Sequence, residues 1–249
     1  MLPITSLTKA VIRNIKLIVL DVDGVLVPRG TKIKQFGNKT IFETKKIGGR
    51  EIEMIKKLKE KGFFININSG RGLYMLEEMF REIMPFVSLT YENGSATWFK
   101  GRIYQHVNSF EYMKKILPKL QAVKNTNIKG FEPKEFIISI HCKRRVKEIE
   151  RIAAQERKLY CIWNSEAYDI GVKKIQTKAV GVKAVAKLLH LRKNNILVMG
   201  DNYNDREMMN EGGVAVSADK SRAKGDFYVP LKGKVLPAGL LMGQILRVL

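Results

Sequence analysis

Residues 15–27 read IKLIVLDVDGVLV, and this stretch constrains the fold more than any other. A near-continuous apolar run is the mark of a strand buried on both faces, and such strands belong to parallel sheets covered by helices. Two aspartates, Asp21 and Asp23, sit where the run ends. Carboxylates beside a buried strand are costly unless a cation or hydrogen bonds answer them. In an open α/β sheet, the carboxyl ends of the strands are also where ligands bind. Gly24 then permits a sharp turn and a close approach of the backbone. Taken alone, the motif also reads as a strand leaving through an acidic turn.

The same alternation returns twice. Residues 50–61 place Ile52, Ile55 and Leu58 at helical spacing, with Gly62 as a stop signal. Phe63–Asn68 reads as a second buried strand ending in Ser69-Gly70-Arg71, and Leu73–Ile83 as an amphipathic helix closed by Pro85. Near the end, Thr177–Leu189 is helical, and Ile196–Met199 is a strand followed by GDNYND. Val214–Val216 and Phe227–Val229 read as strands, and Leu240–Leu249 as a last helix. This order predicts an α/β fold, a doubly wound, Rossmann-like parallel sheet with helices on both faces.

The middle breaks the pattern. Short strands are predicted at Val87–Thr90, Ala96–Phe99 and Arg102–Val107, a helix at Glu111–Val123 and a strand at Phe136–His141. A helix at Val146–Gln155 and strands at Leu159–Trp163 and Ala167–Val172 follow. The chain of 249 residues has room for a core and a smaller domain. The expected division is a core of residues 1–85 and 175–249, with an inserted α+β cap domain over 86–174. Lys32–Phe36 and Thr40–Thr44, around Gly37 and Asn38, are expected to form a β-hairpin.

Four elements carry chemistry. Besides Asp21 and Asp23, the GDNYND motif supplies Asp201 and Asp205, again after an apolar strand. Paired acids at two strand ends suit a hard cation such as Mg²⁺, which takes oxygen ligands. An N-cap is the plainer reading of the second pair. Ser69 and the amides after it, including Gly70, can hold a phosphate oxygen at a helix start. Lys178, at the head of the helix after the insert, is a candidate clamp for phosphate and nucleophile.

DxDG, then Ser-Gly, then Lys, then GDxxxD, in that order, resembles the haloacid dehalogenase-like phosphatase superfamily along essentially the whole chain. The resemblance implies Asp21 as nucleophile and Asp23 as general acid/base. It implies Ser69, Gly70 and Lys178 as phosphate-binding residues. Asp21, Asp23, Asp201 and Asp205 are the implied Mg²⁺ site, with Asn204 and Asn93 in support. An insert between the serine and lysine motifs is similar to the C2 cap class. Tyr91-Glu92-Asn93-Gly94 and residues 213–229 resemble the group of phosphoglycolate, sucrose-phosphate, trehalose-phosphate and mannosyl-phosphoglycerate phosphatases and phosphomannomutases. The implied activity is Mg²⁺-dependent hydrolysis of a small phosphomonoester through an aspartyl phosphate. A phosphosugar mutase of the same superfamily is the alternative. The loop at 29–49 departs from the usual pattern by its length, and its hairpin resembles the flap of capless sugar-acid phosphatases.

The formal charge of +21 raises a nucleic-acid partner as a further alternative. The basic residues are spread along the chain among acidic ones, as in KKLKEKG, and no aromatic-basic platform accompanies them. A lysine-rich surface that draws in anionic substrates is the preferred reading. Cys142 and Cys161 form no CxxC pair, and His106, His141 and His190 are scattered, which argues against zinc. No apolar stretch reaches the roughly eighteen residues that a membrane span needs, and the first residues make no signal peptide. The expectations are a cytoplasmic location, a small-molecule substrate, no membrane or nucleic-acid partner, and room for a homo-oligomer.

Overall fold

The computed structural model describes residues 1–37, 39–230 and 235–249, and by its contacts the chain divides into two compact units. The first comprises 1–30, 45–106 and 177–249, and the second 31–44 and 107–176.

The first unit is built on a nine-stranded sheet. From edge to edge its strands are Leu2–Pro3, Phe227–Tyr228, Val214–Ser217, Ile196–Gly200, Leu17–Leu20, Phe64–Asn68, Val87–Tyr91, Ala96–Phe99 and Arg102–Gln105. Every pairing from Leu2–Pro3 to Val87–Tyr91 is parallel, and the last two are antiparallel. Leu17–Leu20 is central and fully buried, as its unbroken apolar sequence requires. Its neighbours are Ile196–Gly200 and Phe64–Asn68, so the predicted motif-bearing strands lie side by side.

Helix Lys178–Leu188 packs Val182 and Val185 in one cluster with Leu17, Val19, Ile196 and Val198. Each such buried side chain contributes about 1.5–3 kcal/mol. That seam fixes the helix beside the central strands. Helices Gly49–Glu60 and Pro237–Val248 are in mutual contact. The latter begins earlier than predicted, with a proline in its first turn, where a missing N–H costs no hydrogen bond. Leu73–Phe80 is shorter than predicted, and a 3₁₀ stretch, Arg81–Phe86, carries the chain through Pro85.

The second unit has a four-stranded antiparallel sheet in the order Leu159–Trp163, Ala167–Val172, Ile138–Cys142, Ile128–Glu132. Helices Phe110–Gln121 and Lys147–Ala154 bury Ile116, Leu120 and Ile149 in one core with Ile138, Ile140, Tyr168 and Ile170 of the sheet. The expected hairpin forms from Lys32–Phe36 and Lys39–Glu43, while Asn38 at its tip lies outside the described residues. The hairpin belongs to this unit: Phe42 meets the His141 ring edge-on, with centroids 6.4 Å apart. Ile128–Glu132 is a strand that the sequence pattern did not single out.

The boundary of the insert differs from expectation. Residues 87–105 do not leave the core: Val87–Tyr91 pairs in parallel with Phe64–Asn68, and the next two strands extend the same sheet. The second segment of the second unit therefore starts at Val107, not at residue 86. A β-hairpin adds easily to an open edge, and local strand signals do not say which sheet receives them.

Candidate active site

Strand Leu17–Leu20 ends at Asp21, and strand Ile196–Gly200 ends at Asp201. Because these strands are adjacent and parallel, their carboxyl ends coincide. The Asp21 amide donates to Met199 O at 3.0 Å, which locks the two ends together. A tight turn follows Asp201, and Asp205 folds back so that its Oδ2 accepts from the amides of Asp201 (2.9 Å) and Asn202 (3.0 Å). The expected acidic N-cap is therefore not what forms: Asn202 caps the short 3₁₀ turn, and Asp205, at its third position, returns one oxygen to the backbone. Gly200 is required here, because a Cβ would meet the Asp205 carboxyl carbon at 2.7 Å.

Lys178, first residue of its helix, joins the two acidic motifs. Its Nζ donates to Asp21 Oδ1 at 2.7 Å and to Asp205 Oδ1 at 2.6 Å. Lys178 is 3% exposed, Asp21 5% and Asp205 0%, so the three charges answer one another out of water. Burial opposes the Lys178 charge, yet Asp205 and Asp21 outweigh it and hold the ammonium above its ordinary pKa. Burial pushes the Asp21 carboxyl well above its ordinary range; the Asp205 charge adds to this and Lys178 opposes it. Asp201 is also raised, first by burial, with Arg29 opposing.

The head of the Lys178 helix is fixed from the neighbouring strands. Asn68 Nδ2 donates to Lys178 O at 2.9 Å. The turn Glu92-Asn93-Gly94 has positive φ at all three residues, +47°, +54° and +80°. It brings Gly94 so close that a Cβ there would collide with Thr177 O and lie 2.8 Å from the Gly181 amide. Asn93, predicted as supporting, is buried; its amide donates to Ser69 O at 3.1 Å, and its side chain faces Gly70. Asn204 is exposed in the turn after Asp201.

Two arginines complete the site. Arg71 donates to both oxygens of Asp23, Nε to Oδ2 at 2.8 Å and Nη2 to Oδ1 at 2.6 Å. Arg29 donates through Nε to Asp201 Oδ2 at 2.9 Å and also through Nη2. The motif reading missed the roles of both. The helix after Ser69 starts only at Leu73, so Gly70 and Arg71 lie in the preceding loop. The Ser69 hydroxyl oxygen accepts from the Arg71 amide at 3.2 Å.

Among the described residues, Asp21, Asp201 and Asp205 form one group whose ligand atoms lie within 4.8 Å of one another. Asp23 is not in this group; its carboxylate is engaged by Arg71. Three buried carboxylate donors suit a hard divalent cation, and soft or imidazole ligands are missing from the cluster. No helix among the described residues is long and apolar enough to cross a membrane.

Residues 18–141 and 105–224 match the haloacid dehalogenase-like hydrolases. A comparison with curated proteins finds no match. Solved structures share the fold. Protein 0175 of Thermoplasma acidophilum superimposes with a TM-score of 0.69 at 20% identity, over 94% of this chain and 97% of that one. The phosphatase BT1666 of Bacteroides thetaiotaomicron, of the haloalkanoate (HAD) enzyme superfamily, gives 0.67 at 16% identity over 94% and 95%. BT4131, a sugar phosphatase of HAD subclass IIB, gives 0.61 at 16% over 86% and 94%. With a family match over most of its length and an acidic cluster at the strand ends, this chain belongs to the haloacid dehalogenase-like hydrolases.

Proposed function

We propose that the protein is a Mg²⁺-dependent phosphatase acting on a small phosphomonoester, a sugar phosphate or a phosphoglycolate-like compound, with Asp21 as nucleophile. The observation that carries this reading is Lys178 held between Asp21 and Asp205 at the point where three carboxylates converge. Lys178 takes Asp21 Oδ1, which leaves Oδ2 as the attacking atom. Attack on phosphorus forms an aspartyl phosphate while the alcohol departs with a proton from the Asp23 carboxylic acid. The Asp23 carboxylate then takes a proton from water, which attacks phosphorus, frees inorganic phosphate and restores Asp21. Arg71 donates to both Asp23 oxygens, so one of these bonds must give way for Asp23 to hold the proton it passes to the alcohol.

Lys178, Ser69 and the amides beside it stabilise charge on the transferring group, the main source of catalysis in phosphoryl transfer. Mg²⁺, when held by Asp21, Asp201 and Asp205, supplies further positive charge against the nucleophile and the phosphate. Choice of leaving group is assigned to the second unit, on the strength of the family resemblance; replacing residues 107–176 by a Gly/Ser linker should then harm the true substrate far more than p-nitrophenyl phosphate.

The deciding experiment measures phosphate release from a panel of sugar phosphates, phosphoglycolate and nucleotides, with Mg²⁺ and with EDTA. Activity should vanish with EDTA and fall by several orders of magnitude in Asp21→Asn. More than about a tenth of wild-type turnover in that variant would overturn the assignment. Transfer to a second sugar hydroxyl without release of phosphate would make the protein a mutase.

A further inference from the structure

At the far end of the catalytic sheet lies a cavity of about 520 Å³ that the proposed chemistry does not use. It opens where strands Phe64–Asn68 and Val87–Tyr91 begin, whereas Ser69 and the acidic cluster lie at the strands' other ends. Five residues of extended strand separate the two ends, about 16 Å. Its volume falls within the range of sites for small organic ligands, roughly 300–1,000 Å³. The walls are apolar and aromatic, with Phe64, Phe86, Trp98 and Phe99 all only half-buried. Four aromatic side chains around one concavity give it the apolar, aromatic lining typical of sites for small organic ligands.

Among the described residues, the only charged ones lining it are two lysines, Lys59 and Lys100, and no acid lines it. Lys59 Nζ stands 4.7 Å from the Phe64 ring centroid, and Lys100 Nζ stands 5.4 Å from that of Phe99. Both ammonium groups are therefore seated on the aromatic wall. Burial lowers the pKa of Lys59, and the Lys100 charge lowers it further, so the two cations repel across the rim. Lys100 also occupies an awkward backbone position. With φ +50°, it precedes Gly101 at φ +77° in the tight turn between Ala96–Phe99 and Arg102–Gln105. Asparagine or glycine suits that position better than a lysine. The lysine sits where its charge reaches the cavity mouth, despite the backbone preference.

We propose that this cavity binds an anionic amphiphile, a compact apolar body ending in one carboxylate. The aromatic walls take the body, and the head group sits between Lys59 and Lys100, where its charge relieves their repulsion. The proposal is independent of the phosphatase reading, since none of these residues touches the acidic cluster.

Octanoate is a suitable probe, with octanol as its uncharged counterpart. Trp98 lines the cavity and Trp163 is the only other tryptophan, so a Trp163→Phe background makes emission report on the site. Octanoate should shift Trp98 emission saturably, and calorimetry should give one site per chain. In Lys59→Met/Lys100→Asn its dissociation constant should rise by about tenfold or more, while that of octanol changes by less than about twofold. Lys100→Asn suits the turn, so the double variant should fold. Leu188→Glu, at the half-buried margin of the cavity, should abolish octanoate binding through like charge. Absence of saturable binding, or equal loss of octanol and octanoate in the double variant, would overturn the proposal. So would self-association of the wild type that Leu188→Glu abolishes, because the cavity would then be filled by a second copy of the chain.

Discussion

Lys178 Nζ and Asp205 Oδ1 lie 2.6 Å apart, both buried, and the same ammonium holds Asp21 at 2.7 Å. One cation thus answers two carboxylates from different strand ends. Remove it and two buried negative charges face each other with Asp201 close by. Lys178→Met should therefore destabilise the first unit by about 3–5 kcal/mol, the usual result of stripping one partner from a buried ion pair. Urea unfolding without added metal measures this directly. A shift below about 1 kcal/mol would show that the lysine does not hold the site together.

Asp201 and Asp205 should respond differently to alanine. Asp205 Oδ2 accepts from two backbone amides and its Oδ1 from Lys178, so its loss leaves buried donors without partners. We expect Asp205→Ala to cost about 2–3 kcal/mol. Among the described residues, the Asp201 carboxylate is hydrogen-bonded only by Arg29, whose side chain is 40% exposed, and its removal also relieves repulsion among buried acids. Asp201→Ala should stay within about 1 kcal/mol of wild type without metal. The order should reverse for metal binding, with Asp201→Ala losing most of the thermal stabilisation that added Mg²⁺ gives the wild type. Melting curves with and without Mg²⁺ test both halves.

These residues were legible to different degrees. Asp21, Asp23, Ser69 and Asp201 follow apolar runs whose length and purity announce buried parallel strands. Lys178 had little local signal, being one lysine on a helix; its place at the head of the helix after the insert made it a candidate, and the family pattern gave it a role. Arg29 and Arg71 were hidden among 45 lysines and arginines, since nothing in local sequence separates an arginine that folds inward from one that does not. The strands at 87–105 were found as strands but assigned to the wrong unit, because pairing is decided by distant partners rather than by local pattern.

Gly94 and Gly101 offer a matched pair of substitutions. Both have positive φ, +80° and +77°, so alanine is strained at either. A Cβ on Gly101 meets open space, whereas one on Gly94 runs into Thr177 O at the head of the Lys178 helix. Gly101→Ala should cost about 1 kcal/mol and leave turnover unchanged. Gly94→Ala should cost at least about 2 kcal/mol and also lower turnover, because relieving the clash moves Lys178. Equal effects on stability and activity would mean that the close approach at Gly94 is not what seats the helix.

The last prediction concerns pH. His106 closes a polar ladder across the sheet: its Nε2 lies 2.9 Å from Thr97 Oγ1, which lies 2.8 Å from Thr90 Oγ1, which accepts from Asn66 Nδ2 at 3.0 Å. Burial lowers the His106 pKa, so the folded protein favours the neutral ring. In the unfolded chain the ring titrates near its ordinary value, about 6.5. Above that pH the ring is neutral in both states, and the stability it contributes is fully present. As pH falls through about 6.5 the unfolded chain binds a proton first, and stability drains away until the folded pKa is passed. Replacing the ring by phenylalanine removes the titration but keeps an aromatic of similar size. Wild-type stability should thus fall more steeply than that of His106→Phe between about pH 7 and about pH 5, with the two curves parallel above about pH 7.5. Equilibrium urea unfolding of both proteins across this range measures the difference, and parallel curves throughout would show that the ring gains no neutral preference on folding.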